Sequence, residues 1–104
     1  MREGPGVRVL ELFGELDLAS SQVLEQRLAR VGMPPLTVID LKRLEFIDST
    51  GLSLLVRAHQ RAQEEDRRCG IVNGQGQVQR LLDLTGLTER LGVSDAPEEL
   101  LSGS

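Results

Sequence analysis

The chain of 104 residues is predicted to fold as one α/β domain with a mostly parallel or mixed sheet. Short apolar runs rich in Val, Ile and Leu are separated by longer segments whose apolar residues recur every three or four positions. These follow one another as β, α, β, α, β, α, β, α, the order from which layered α/β structures are built. The length suits a single domain, expected to span 1–104. With 39% apolar but only 2% aromatic residues, its core has to be made of Leu, Val, Ile and Ala.

In the first run Val7, Val9, Glu11 and Phe13 alternate with Arg8, Leu10 and Leu12. Both faces are largely apolar, as in a strand buried on at least one side, and Gly14 to Asp17 reads as the turn out of it. In ASSQVLEQRLARV, Leu24, Leu28 and Val31 share a helical face, with Ser20 or Ser21 as cap and Gly32 and Pro34 closing the helix. LTVIDL, bounded by two prolines and by charges, fits a central strand.

From Thr50 the period changes to 3.6: Leu52, Leu55, Val56, His59 and Ala62 share one face, and Ser53, Arg57, Gln60 and Glu64 the opposite one. The second helix therefore begins inside IDSTGLSLL. CGIVN reads as a further strand, GQVQRLLDL as a helix stopped by Gly86, RLGVSD as an edge strand, and Pro97 as the first turn of a short C-terminal helix. Residues 1–6 and 102–104 are expected to be flexible ends.

Charge and residue usage exclude several functions. A net charge of −4 with no basic block leaves no electrostatic footprint for direct binding of nucleic acid or an anionic membrane. Cys69 is the lone cysteine, no apolar run reaches membrane-spanning length, and MREGPG has no signal-peptide core, so a reducing, cytoplasmic setting is expected. Catalysis by a Ser-His-Asp site would need His59, the one histidine, to reach Ser49. Ten helical residues at a rise of about 1.5 Å put them roughly 15 Å apart. The Asp-Ser-Thr-Gly stretch has one residue too many for an aspartic protease, and Lys42, the sole lysine, lies upstream of where a phosphoaspartyl enzyme would need it. Gly74 to Gly76 is too short for a dinucleotide fingerprint, and no phosphate-binding loop motif is present. The chain is expected to be a non-enzyme with no cofactor and no metal.

What remains unexplained is the junction itself. Asp48, Ser49 and Thr50 are all residues that cap helices, where one cap is enough, and a glycine follows them. A hydroxyl left over at a helix N-terminus is chemically suited to phosphorylation, because free N–H groups and the positive end of the helix dipole receive the added charge.

Four pieces in order, GELD at Gly14 to Asp17, LTVIDL, FIDSTGL at Phe46 to Leu52 and LLDLTGL at Leu81 to Leu87, give a specific signal over nearly the whole chain. It resembles the STAS domain family and, within it, the bacterial anti-sigma factor antagonists. The resemblance implies a mixed sheet of four or five strands with about four helices packed mainly on one face. It also implies a partner-binding switch, in which the unphosphorylated protein binds an anti-sigma factor that is itself a serine kinase and so frees a sigma factor. Phosphorylation, here at Ser49, ends binding, and a serine phosphatase resets it.

By the same resemblance Asp17, Asp48, Thr50 and Gly51 form the loop around the phosphosite, Gly51 giving a partner's backbone close access. Leu52, Ser53, Leu54 and Arg57 on the N-terminal part of the second helix are the expected partner surface, with Leu54 lying off the helix's core face. Relatives often carry Gly where Ser53 stands, and many have a further strand before the first run, where this chain has only MREGPG. The alternatives on the same fold are a non-phosphorylated adaptor subunit of a transporter or other complex, and a nucleotide-binding regulatory domain.

Overall fold

The computed structural model describes residues 2–4, 6–31 and 35–95. In chain order its elements are β1 (Arg2–Gly4), β2 (Val7–Glu11), β3 (Gly14–Leu16), α1 (Leu18–Val31), β4 (Leu36–Asp40), β5 (Leu44–Ile47), α2 (Ser49–Glu64), β6 (Arg68–Val72), α3 (Gly76–Leu84) and α4 (Leu87–Arg90). Four strands form one sheet in the order β1-β2-β4-β6, and β3 and β5 form a separate pair. Only β1 runs antiparallel to its neighbour; β2, β4 and β6 are parallel, as are β3 and β5. The predicted mixed α/β architecture is the one observed.

The central strand β4 is buried along its whole length, and its β-branched residues suit a strand covered on both faces. Val38 pairs in register with Val9 and Gly70, and Ile39 with Leu10 and Ile71. Because side chains alternate across a strand, these two rows look in opposite directions. The row of Leu10, Ile39 and Ile71 belongs to the main core with Leu24 of α1, Leu52, Leu54, Leu55, Ala58 and Ala62 of α2, Val78 and Leu82 of α3, and Leu87 of α4. The described helices thus supply the apolar cover of one face, while Val9, Leu36, Val38 and Val72 form a smaller cluster on the other.

Several local expectations are corrected. Gly14 to Leu16 is not a turn but a strand, and the segment after LTVIDL contains a second strand, β5, which pairs with it. Each is only three or four residues long, too short for an alternation pattern to stand out. Arg2–Gly4, expected to be loose, pairs with Val7–Val9 as the edge strand that the short N-terminus left in question. RLGVSD is not a strand: its first residue ends α4, and only a single bridge from Ser94 to Val72 remains. The residues that would close α1, Gly32 and Pro34, the helix at Pro97 and the tail 102–104 lie outside the described residues.

The cap of α1 is neither Ser20 nor Ser21. Asp17 accepts the Ser20 N–H at 3.1 Å, and its own N–H donates to the Ser20 hydroxyl at 2.9 Å, a reciprocal arrangement that satisfies donors on both sides of the first turn. Ser21 is buried on the inner side of the helix. The Ser20 N–H, and then the Ser20 hydroxyl, hold the Asp17 carboxyl below its ordinary value of 3.8.

The lowered value means that the folded chain holds the Asp17 proton more weakly than the unfolded chain does. Its contribution to stability is therefore present above the ordinary aspartate range, near 3.9, and is lost as pH falls through the lower folded value. Replacing Asp17 by Asn keeps a capping side chain and removes the titration. The parent's advantage in melting temperature over Asp17→Asn, followed by circular dichroism because the chain has no Trp or Tyr, is expected to hold constant above roughly pH 5 and to shrink below about pH 4. Truncating Leu54, whose side chain is 1% exposed, is expected to cost about 2–5 kcal/mol in urea unfolding.

Candidate functional site

A single residue, Asp48, separates β5 from α2. Its backbone is extended, with φ −109° and ψ −175°, and its carboxylate accepts the Gly51 N–H at 2.9 Å. Asp48 is therefore the cap of α2, which leaves Ser49 and Thr50 inside the first turn with their hydroxyls free of that duty. Ser49 is exposed and Thr50 half-buried. Among the described residues no hydrogen bond engages the Ser49 hydroxyl.

Asp17 arrives at the same place by an equivalent route. Leu16 of β3 and Ile47 of β5 are paired in parallel register, and the Asp48 N–H donates to the Leu16 carbonyl at 3.3 Å. The next residues, Asp17 and Asp48, thus leave neighbouring strands separated by about 4.8 Å, and each caps the helix that follows it. Two helix N-termini and two carboxylates gather at one corner of the molecule, with Ser49 on its surface.

Gly51 serves a different purpose from the one expected of it. It is buried, and a Cβ there would stand 2.6 Å from the Leu16 carbonyl oxygen and 2.7 Å from Ile47 Cγ1. The missing side chain lets α2 cross tightly over the ends of β3 and β5 within the chain and opens no path to a partner.

The expected partner surface divides in two. Ser53 and Arg57 are exposed, whereas Leu54 is in the core and is withdrawn as a contact for a partner. The wide buried arc of α2 runs through both Leu54 and Leu55, so that the core face takes in a position the 3.6 period had placed outside it. Leu52 is 8% exposed but lines a shallow, open hollow together with Ser49, Ser53, Val56, Arg57 and Leu87. The Arg57 guanidinium pairs with Glu25 and so ties α2 to α1 along the rim.

Sequence reasoning missed Leu87 as a wall of this hollow, although the LLDLTGL stretch contains it. It also missed exposed apolar residues beside the corner: Leu18, next to Asp17, is 59% exposed and Phe46, two residues before Asp48, 41%. Exposure of an apolar residue leaves no mark in a sequence pattern. The core packs against Cys69, and burial pushes its thiol up to about 11, away from the reactive thiolate. His59, placed by its spacing on the apolar face of α2, is half-buried. Among the described residues no cluster of three or more His, Cys, Asp or Glu could hold a metal ion, and no helix is long and apolar enough to cross a membrane.

Comparison with known proteins matches the STAS domain family over residues 1–100. The anti-sigma-F factor antagonist RsfB of Mycobacterium tuberculosis is 30% identical over 94% of this chain and 81% of its own length. A crystal structure of an anti-sigma factor antagonist from Mycobacterium paratuberculosis superposes with a TM-score of 0.84 at 30% identity, covering 98% of this chain and 88% of that one. A sulfate transporter family protein from Wolinella succinogenes shares the fold at 18% identity, with a TM-score of 0.73 over 94% of this chain and 78% of that one. On the family match, the 30% identity and the common fold, the chain belongs to the STAS domain family.

Proposed function

We propose that this chain is an anti-sigma factor antagonist, a cytoplasmic non-enzyme that binds an anti-sigma factor of the serine-kinase type and is released from it by phosphorylation of Ser49. The observation that carries the reading is the division of labour at the start of α2. Asp48 alone caps the helix, and the adjacent Ser49 is exposed with its hydroxyl unengaged among the described residues. The antagonists that match at 30% identity support the antagonist part of this reading.

The electrostatics separate what the module tolerates from what the complex does not. A phosphate on Ser49 would meet the free N–H groups and dipole of α2, a favourable contact worth about 0.3–1 kcal/mol when exposed. It would also bring a charge of about −2 to a corner that already holds the carboxylates of Asp17 and Asp48. A thousandfold loss of affinity requires about 4 kcal/mol, more than the helix terminus supplies. Discrimination therefore has to arise at the contact surface, where a partner seated against Ser49, Ser53 and Arg57 has to accommodate and desolvate the added charge. A serine phosphatase completes the cycle.

Replacing Ser49 by Ala removes no cap, and urea unfolding is expected to change by less than about 0.5 kcal/mol. With Ser49→Ala and Ser49→Asp proteins as paired baits in a lysate of the source organism, mass spectrometry is expected to find a kinase-fold anti-sigma factor on the Ala bait and not on the Asp bait. Identical catches, or transporter subunits on both, would move the protein to the adaptor class.

A further inference from the structure

The GQGQ stretch at the start of α3 is idle as a nucleotide motif, yet one of its glutamines, Gln77, reaches the strand that carries the Ser49 loop. Among the described residues β5 pairs with one strand, β3. On its other edge the Ile47 N–H donates to the Gln77 Oε1 at 3.0 Å, and the Gln77 Nε2 donates to the Ile47 carbonyl at 2.8 Å. A carboxamide here makes the two-bond exchange that a residue of a neighbouring antiparallel strand would make. In the turn that precedes the strand, the Gln75 Nε2 donates to the Lys42 carbonyl at 3.1 Å. α3 can sit this close because position 74 is glycine: a Cβ there would meet Val78 Cγ1 at 2.7 Å and the Leu41 carbonyl at 2.9 Å.

Ile47 is completely buried, and without Gln77 its N–H and C=O would lack these partners, a costly state for buried backbone groups. Only Asp48 lies between Ile47 and Ser49. The backbone entering the loop is thus held from both sides, by the Leu16 carbonyl on Asp48 and by the Gln77 carboxamide on Ile47. We infer that Gln77 is a positioning residue for Ser49: by fixing Ile47 from α3, it sets the geometry in which Asp48 caps α2 and the Ser49 hydroxyl is presented. Its effect on phosphate transfer rests on the phosphoacceptor reading of Ser49; its effect on the loop does not.

The test uses the full chain and three variants, Gln77→Leu, Gln77→Glu and Gln75→Ala. Leu removes both hydrogen bonds. Glu at neutral pH keeps the acceptor and loses the donor, and below about pH 4 its protonated carboxyl carries both again. Amide hydrogen exchange read at Gly51, whose N–H is bound by Asp48, is expected to be at least tenfold faster in Gln77→Leu and in Gln77→Glu at pH 7. Moving below about pH 4 should restore protection relative to the parent in Gln77→Glu alone, and Gln75→Ala should match the parent throughout. With the anti-sigma factor retained by the Ser49→Ala bait and ATP, kcat for phosphorylation of Gln77→Leu is expected to fall at least tenfold while KM stays within twofold.

Parental exchange at Gly51 in both Gln77 variants would overturn the inference, as would an equal loss in Gln75→Ala. So would parental kcat in Gln77→Leu. If Gln77→Leu does not fold, the pH dependence of Gln77→Glu decides. A parent chain that takes up no phosphate would remove the phosphoacceptor reading alone, and the exchange data would still decide whether Gln77 holds the loop.

Discussion

Where α2 crosses the end of β3, the Leu16 carbonyl oxygen fills the space that a side chain at position 51 would need. That contact fixes how closely the helix can approach the β3/β5 pair. The Leu16–Ile47 register sets Asp17 beside Asp48, and the same Leu16 carbonyl accepts the Asp48 N–H. Once these groups are set, both helix caps follow from one-residue connections, and Ser49 has only one place to stand. The apolar core behind, built around Leu54, Leu55 and Ile47 with no solvent exposure beyond 1%, keeps α2 from rocking away from it.

How much of this could be read in the sequence depended on the length of the signal. β4 and α2 were legible because a buried β-branched run and a sixteen-residue amphipathic period each leave many residues in agreement. β3, β5 and β1, at three or four residues each, were merged or missed. The Ser49 loop was found because three capping residues in a row exceed what one helix needs, but which of them caps was settled only by the extended backbone of Asp48. Leu54 was misread because a fixed 3.6 period describes a narrow stripe, whereas a helix pressed against both a sheet and other helices buries a wider arc. Gln77 could not have been found at all: a polar residue near a helix start looks solvated until the strand whose edge it seals is in place.

The site also shows how a charged corner can be compatible with a stable fold. Asp17 and Asp48 are neighbours of like charge, and each is compensated by donors of its own helix, Asp17 by Ser20 and Asp48 by Gly51. The two carboxylates therefore belong first to the architecture, and their negative field at the surface comes as a by-product. The chain's overall acidity adds to that field without being focused into any basic counterpart.

The one-residue connection between β5 and α2 places a sharper limit on the length of this junction than on its composition. Each α-helical residue advances the side-chain direction by about 100°. A single insertion or deletion between Ile47 and Ser49 would therefore turn the whole buried arc of α2 out of register with the sheet, and would put a side chain where the Leu16 carbonyl admits none. Variation among descendants of this chain can change what stands at the corner, but has to conserve the number of residues that lead into it.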